Sequence, residues 1–202
     1  VIMKYSMTNE YLPDPIVVES QVGVAAFPAA NGTDFLPAGT VSVNGYDLEK
    51  ADNNAYYVSA TAGMTPATLD FSGGSSNWSV GGAGTIAAFV YDHNVSFPDY
   101  TGTLPTSVTK SDGVTISLGS DVSSADSVYL VIAAGDQFVQ TAVGGNASSI
   151  SLSAAELQNL PVVSDNTAFL QIVPFRVTLE TLNGSQYAFV KQKAAVTAIN
   201  IQ

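Results

Sequence analysis

The chain of 202 residues has no cysteine, one histidine, one tryptophan, six basic residues and no apolar run of membrane-spanning length. Each scarcity narrows the field. Without cysteine there are no disulfides, no thiolate nucleophile and no zinc site built on thiolates. That absence is compatible with export in a bacterium and argues against a small disulfide-stapled ectodomain. The single histidine, His93, forbids a histidine-rich metal site. It would also have to serve any Ser-His-Asp triad, and the sequence holds no Gly-x-Ser-x-Gly elbow; beside Asp92 it reads as a loop residue. The apolar run at 128–134 is far short of the ~20 residues a spanning helix needs. Charged residues make up only 11% of the chain against 46% hydrophobic, so Ser, Thr, Asn, Gln and Gly must supply the polar surface, as in secreted β-proteins. Seventeen acidic residues against six basic ones give a net charge of -11, which repels phosphate backbones and argues against nucleic acid as a partner. The acidic residues are scattered singly and read as a solvated face.

What is present is β pattern. The stretch 77–91 holds the only tryptophan: Trp78 and Val80 alternate with polar neighbours, Gly81, Gly82 and Gly84 interrupt, and an apolar segment resumes at Ile86. Strand, bend and strand are expected, with Trp78 as a core anchor. Ahead of it, 1–15 reads as an extended lead-in with Pro13 and Pro15, and 16–27 as a strand. Residues 40–44 form a strand entering a hairpin at Asn44-Gly45. Short strands are expected around Tyr56, Tyr57 and Val58, and at 68–71.

A polar seam at 101–105 divides the chain into an expected N-terminal β-sandwich domain, 1–102, and a C-terminal immunoglobulin-like β-sandwich domain, 103–202. In the second, 107–110 and 114–118 read as a hairpin turning at Asp112-Gly113. Residues 127–134 form a central strand, 137–143 and 148–152 alternate, and Asn183-Gly184 makes the last hairpin turn before the closing strand. Ser153 and Glu156 form a capping box opening a short helix that faces Leu157 and Leu160 inward and stops at Pro161. This helix is expected in the connection that crosses from one sheet to the other. The strand at 168–179 carries Pro174, for which an edge or bulge is expected because proline cannot donate to a ladder.

Candidate chemistry is thin. Asp47, Glu49 and Asp52 supply hard oxygen ligands on one loop, but Lys50 sits among them and the calcium-loop pattern is absent, so a solvated loop is expected and no metal or other cofactor. Asp92 with Asp99 is a carboxylate pair for a glycoside hydrolase, of a kind any acidic chain offers by chance. Tyr56, Tyr57, Trp78, Tyr91 and Tyr100 are the aromatics from which a sugar-stacking platform would be made, each with core packing as the plainer reading. Asn-x-Ser/Thr sequons at Asn31, Asn77, Asn94, Asn146 and Asn183 follow from a Ser/Thr/Asn-rich composition.

The Trp78 run with Gly81 and Gly82, Ile86 to Phe89, Phe97-Pro98, and the second half with Ser153 to Leu157 and the closing Tyr187 to Gln192 together resemble exported surface lipoproteins of Bacteroidetes-type bacteria. The resemblance implies an extracellular or outer-surface location, with a signal or lipid-anchor segment trimmed ahead of Val1, and membrane association only through that anchor. It transfers no catalytic residue. The expectation is a non-catalytic binding or scaffold module for a protein or glycan partner; the alternatives are a carbohydrate-binding surface protein and a carboxylate-dependent glycoside hydrolase.

Overall fold

The computed structural model describes residues 1–9, 16–61, 69–71 and 73–202. Among the described residues regular structure is strand almost throughout, with one short α-helix and one 3-10 turn, and the chain is an all-β sandwich protein. It divides into two compact units of three segments each. Val1–Lys4, Ser20–Ser96 and Val177–Lys191 make the first; Tyr5–Glu19, Phe97–Arg176 and Gln192–Gln202 make the second.

In the first unit an antiparallel sheet runs in the order Tyr46–Asp47, Val41–Val43, Ser76–Val80, Phe89–His93. Asn44 and Gly45 both have positive φ, 50° and 80°, the conformation a two-residue hairpin loop demands. The period-2 pattern sets the inward face: Val41, Val43, Ser76, Trp78 and Val80 are buried, while Asn77 is exposed. Ser20 to Ala25, the part of the strand Ile16–Ala25 that lies in this unit, pairs antiparallel with Tyr56–Thr61, in register from Ser20↔Thr61 to Ala25↔Tyr56. From the strand Ser185–Ile201, Phe189 reaches the same interior and lies 6.4 Å from the Trp78 ring and 4.3 Å from that of Tyr91. Such ring pairs contribute roughly 0.5–1.5 kcal/mol beyond the area they bury.

The lead-in is itself a strand, Ile2–Asn9, while Pro13 and Pro15 lie outside the described residues. The strand expected at 68–71 does not form at Leu69, Asp70 and Phe71; Thr68 lies outside the described residues. Leu69 and Phe71 are nevertheless buried, and the Phe71 N–H donates to Oε1 of Gln21 at 2.7 Å. A side-chain amide satisfies the buried donor that a neighbouring strand would otherwise serve.

In the second unit, Ser127–Ala134 lies between Gln137–Gly144 and Val163–Leu182. One face is buried through Val128, Leu130, Ile132 and Ala134. These pack in one core with Ile116, Ile150 and Leu152 from the two-stranded sheet Val114–Ser117 and Ser149–Leu152. Burying each Leu or Ile stabilises the fold by about 1.5–3 kcal/mol. The expected crossover is present: the helix Ala154–Leu157 leaves that small sheet and leads to the long strand Val163–Leu182, placing Leu157 and Leu160 in the core.

Both halves of the capping box form. The Glu156 N–H donates to Ser153 Oγ at 3.4 Å, and the Ser153 N–H donates to Glu156 Oε2 at 2.7 Å. The Ser153 hydroxyl also donates to Glu156 Oε2 at 2.6 Å, and this bond, followed by the one from the Ser153 N–H, holds the Glu156 carboxyl below its usual range. Ser153→Ala is expected to cost about 1 kcal/mol, read as a lower urea midpoint at unchanged slope.

Two expectations are corrected here. The turn at Asp112-Gly113 forms, with the Asp112 N–H bonded to the Thr109 carbonyl at 3.1 Å, but its flanks do not pair. Ser107–Val108 runs parallel to the end of Ser185–Ile201, and Val114–Ser117 pairs with Ser149–Leu152. At Gly113, φ is +74° and a Cβ would meet the Leu152 carbonyl oxygen at 2.7 Å, so this glycine serves a close approach to the core sheet. Pro174 is neither on an edge nor at a bulge against Ser127–Ala134. It faces Val128 in a register unbroken from Ser127↔Phe175 to Ala134↔Ala168, and its strand is flanked on both sides.

Candidate binding cleft

The first unit holds a cleft of about 650 Å³. Its walls are aromatic because three strands converge with their inward positions in phase. Trp78 and Val80 come from Ser76–Val80, Phe89 stands opposite Val80, and Tyr187 and Phe189 alternate inward along Ser185–Ile201. Phe89 and Tyr187 lie 4.7 Å apart, and Phe27 meets Tyr187 edge-on at 6.4 Å. The bend beyond Val80 is tight: Gly82 has φ +79°, its N–H donates to the Ala38 carbonyl at 2.8 Å, and a Cβ on it would meet the Ala88 nitrogen at 2.6 Å. That closure turns the chain back so Ile86 and Phe89 border the cleft. Thr85, Ser185 and Gln186 supply its polar groups, and among the described residues no ionisable side chain other than the Tyr187 phenol lines it. A concave, mostly apolar site with a few polar groups binds by shape and dispersion, with the polar groups setting orientation.

Trp78 is 4% exposed, as expected of a core anchor. It forms part of the cleft wall and presents no flat face to solvent. Of the other stacking candidates, Tyr56 is buried and its hydroxyl accepts from the Ala38 N–H at 2.9 Å. Tyr91 is half-buried, donates to Glu180 at 3.0 Å, and has its phenol pushed up by burial and then by that carboxylate. Tyr100 is buried in the second unit, with its phenol raised by desolvation and then by Asp121. Tyr57 is the exposed member, its phenol raised by the hydrogen bond to Glu49.

His93 is not a loop residue. It ends the strand Phe89–His93, is 1% exposed, and places Nε2 3.0 Å from Thr178 Oγ1. Pairing Ser76↔His93 puts it on the inward face two positions beyond Tyr91, a phase visible in the sequence once the strand is extended that far. Asp92, one position earlier, faces out and accepts from Asn77 Nδ2 at 2.6 Å. Asp99 belongs to the second unit, where both carboxylate oxygens lie 2.8 Å from Lys193 Nζ. Asp47, Glu49 and Asp52 are exposed on two short strands and a turn; among the described residues no group of three or more acidic, histidine or cysteine side chains is placed to hold a metal ion.

Sequence reasoning missed Lys191. It follows Tyr187 and Phe189 at period 2 and points inward with them, fully buried. Its ammonium donates to the carbonyl oxygens of Val95 at 2.7 Å, Gly74 at 3.0 Å and His93 at 3.3 Å. Burial, with Lys4 as a smaller contribution, lowers its pKa to about 8. Comparison of the chain with protein-family models, with curated proteins and with solved structures gave no match to any of them.

Proposed function

We propose that the protein is a non-catalytic binding module, displayed on a bacterial cell surface, whose cleft takes a neutral apolar ligand. The aromatic cleft carries this reading: Trp78, Phe89, Tyr187 and Phe189 form a concave wall that dispersion can use, with Gln186 and Ser185 to orient the ligand. The surface location rests on the resemblance to exported lipoproteins described above. Binding to a neutral glycan is the second reading, and Tyr57 is the platform it has outside the cleft.

Since Trp78 is the only indole and lines the cleft, any energy transfer from tryptophan to a bound probe originates there. Titration with N-phenyl-1-naphthylamine, a neutral apolar fluorophore, is expected to give saturable transfer. Ile86→Arg, which sets a charge at the cleft border, is expected to weaken binding at least about tenfold, since an unpaired charge in an apolar site is costly. Absence of transfer, or equal binding by the variant, would overturn the proposal. Saturable binding of neutral oligosaccharides that is lost in Tyr57→Ala would favour the glycan reading instead.

A further inference from the structure

The strand Gln137–Gly144 closes one side of its sheet. Its register with Ser127–Ala134 is unbroken from Ser127↔Gly144 to Ala134↔Gln137, and among the described residues no strand pairs with its other edge. At one end the Gly145 N–H donates to the Asp126 carbonyl at 2.9 Å. Backbone groups of successive strand residues point alternately to the two sides within the sheet plane. The odd-numbered positions therefore bond to Ser127–Ala134, and the N–H and C=O groups of Phe138, Gln140 and Ala142 point outward from the edge, whereas the Gly144 carbonyl accepts from the Ala147 N–H at 3.0 Å in the turn that follows. Exposed edges are ordinarily guarded by lysine, proline, a bulge or a covering element. This strand reads Gln-Phe-Val-Gln-Thr-Ala-Val-Gly, with no charge, no proline and no bulge. Phe138, at 64% exposure, stands on its outer face.

We infer that this edge is a self-association site, where Gln137–Gly144 pairs antiparallel with the same strand of a second copy of the chain. The occupant follows from symmetry and charge. The outward donors and acceptors of an edge strand are their own complement under a twofold rotation. With the two Gln140 residues opposite each other, Phe138 of each copy lies over Ala142 of the other, large against small on one face. Roughly six N–H···O bonds then form from the outward groups of positions 138, 140 and 142. A net charge of -11 opposes the meeting of two copies, so an uncharged edge is where they can approach. The nearest charge along the strand, Asp136, falls at opposite ends of the paired ribbon. The two copies of it are separated by eight residues, about 27 Å at 3.4 Å per residue, well beyond the screening length of about 8 Å in physiological salt.

Sedimentation velocity over about 1–500 µM, a range spanning the affinities of weak pairwise association, tests this. The wild-type chain is expected to show a concentration-dependent dimer that strengthens with added salt. Gln140→Pro removes an outward N–H while leaving the inner ladder its bonds, and is expected to weaken dimerisation at least tenfold with an unchanged far-ultraviolet spectrum. Phe138→Lys leaves the backbone untouched and places a guarding charge on the edge, so it should weaken association similarly and decides the matter should the proline variant misfold. A wild-type chain that stays monomeric across the range, or a Phe138→Lys variant that dimerises as tightly as wild type, would overturn the inference.

Discussion

Lys191→Ala is expected to lower the stability of the fold by about 3 kcal/mol, because truncation leaves the buried His93 carbonyl and the partly buried Val95 and Gly74 carbonyls without their shared donor, and a buried group so orphaned costs about 1–3 kcal/mol. The Val95, Gly74 and His93 carbonyls converge on one ammonium, and the side chain that carries it is fully buried. Lys191→Met keeps the volume of the stem and removes the cost of burying a charge, so its loss should be smaller than that of alanine. The same residue predicts a pH dependence. The folded-state amine titrates at about 8, whereas an unfolded lysine titrates near about 10.4. Between those values the unfolded chain binds more protons than the folded one. Wild-type stability should therefore rise with pH across that window, the burial penalty being fully present below about pH 8. Lys191→Met should lack this rise. Urea unfolding followed by circular dichroism at about pH 7.5, 8.5 and 9.5 for both chains measures the difference; parallel stability curves for the two would show that Lys191 is not the titrating group.

Trp78→Ala is expected to cost about 3–5 kcal/mol, the range for removing a large buried aromatic. Trp78 pairs with Val43 on one side and Tyr91 on the other, so it stands in the middle of its sheet and faces Phe189 across the interior. Deletion would open a void continuous with the cleft. At a urea slope of about 2 kcal/mol per molar, the loss corresponds to a midpoint lower by on the order of 2 M. Trp78→Phe, which retains a ring on the same wall, should lose less than half as much. A shift for Trp78→Ala of under about 0.5 M would show the indole to be a minor packing element.

Much of the architecture was legible because its determinants are local. Asn44-Gly45 and Asn183-Gly184 adopt positive φ at both positions, as the dipeptides require in two-residue hairpin loops. The apolar run at Ser127–Ala134 is a strand with those boundaries, and the Ser153 and Glu156 pair caps the helix by the bonds its spacing predicts. The burial of Trp78 followed from period 2 alone. The cleft was not legible as a cleft, since its walls come from segments far apart in the chain, Trp78 and Phe89 on one side and Tyr187 and Phe189 on the other.

The residues by themselves determined strand content, turn positions and which side chains share a face, because φ/ψ preference and side-chain alternation act over a few residues. Pairing was decided by the tertiary structure. Val114–Ser117 leaves a well-formed turn to join Ser149–Leu152, which brings Ile116 beside Ile150 in the core; pairing with Ser107–Val108 would forgo that burial. Burial of His93 and Lys191 was decided in the same way: their inward phase is written in the sequence, but the Thr178 hydroxyl and the backbone carbonyls that receive them come from segments far away in the chain. A polar group can enter a core only where the assembled fold supplies its partners, and no local pattern encodes that supply.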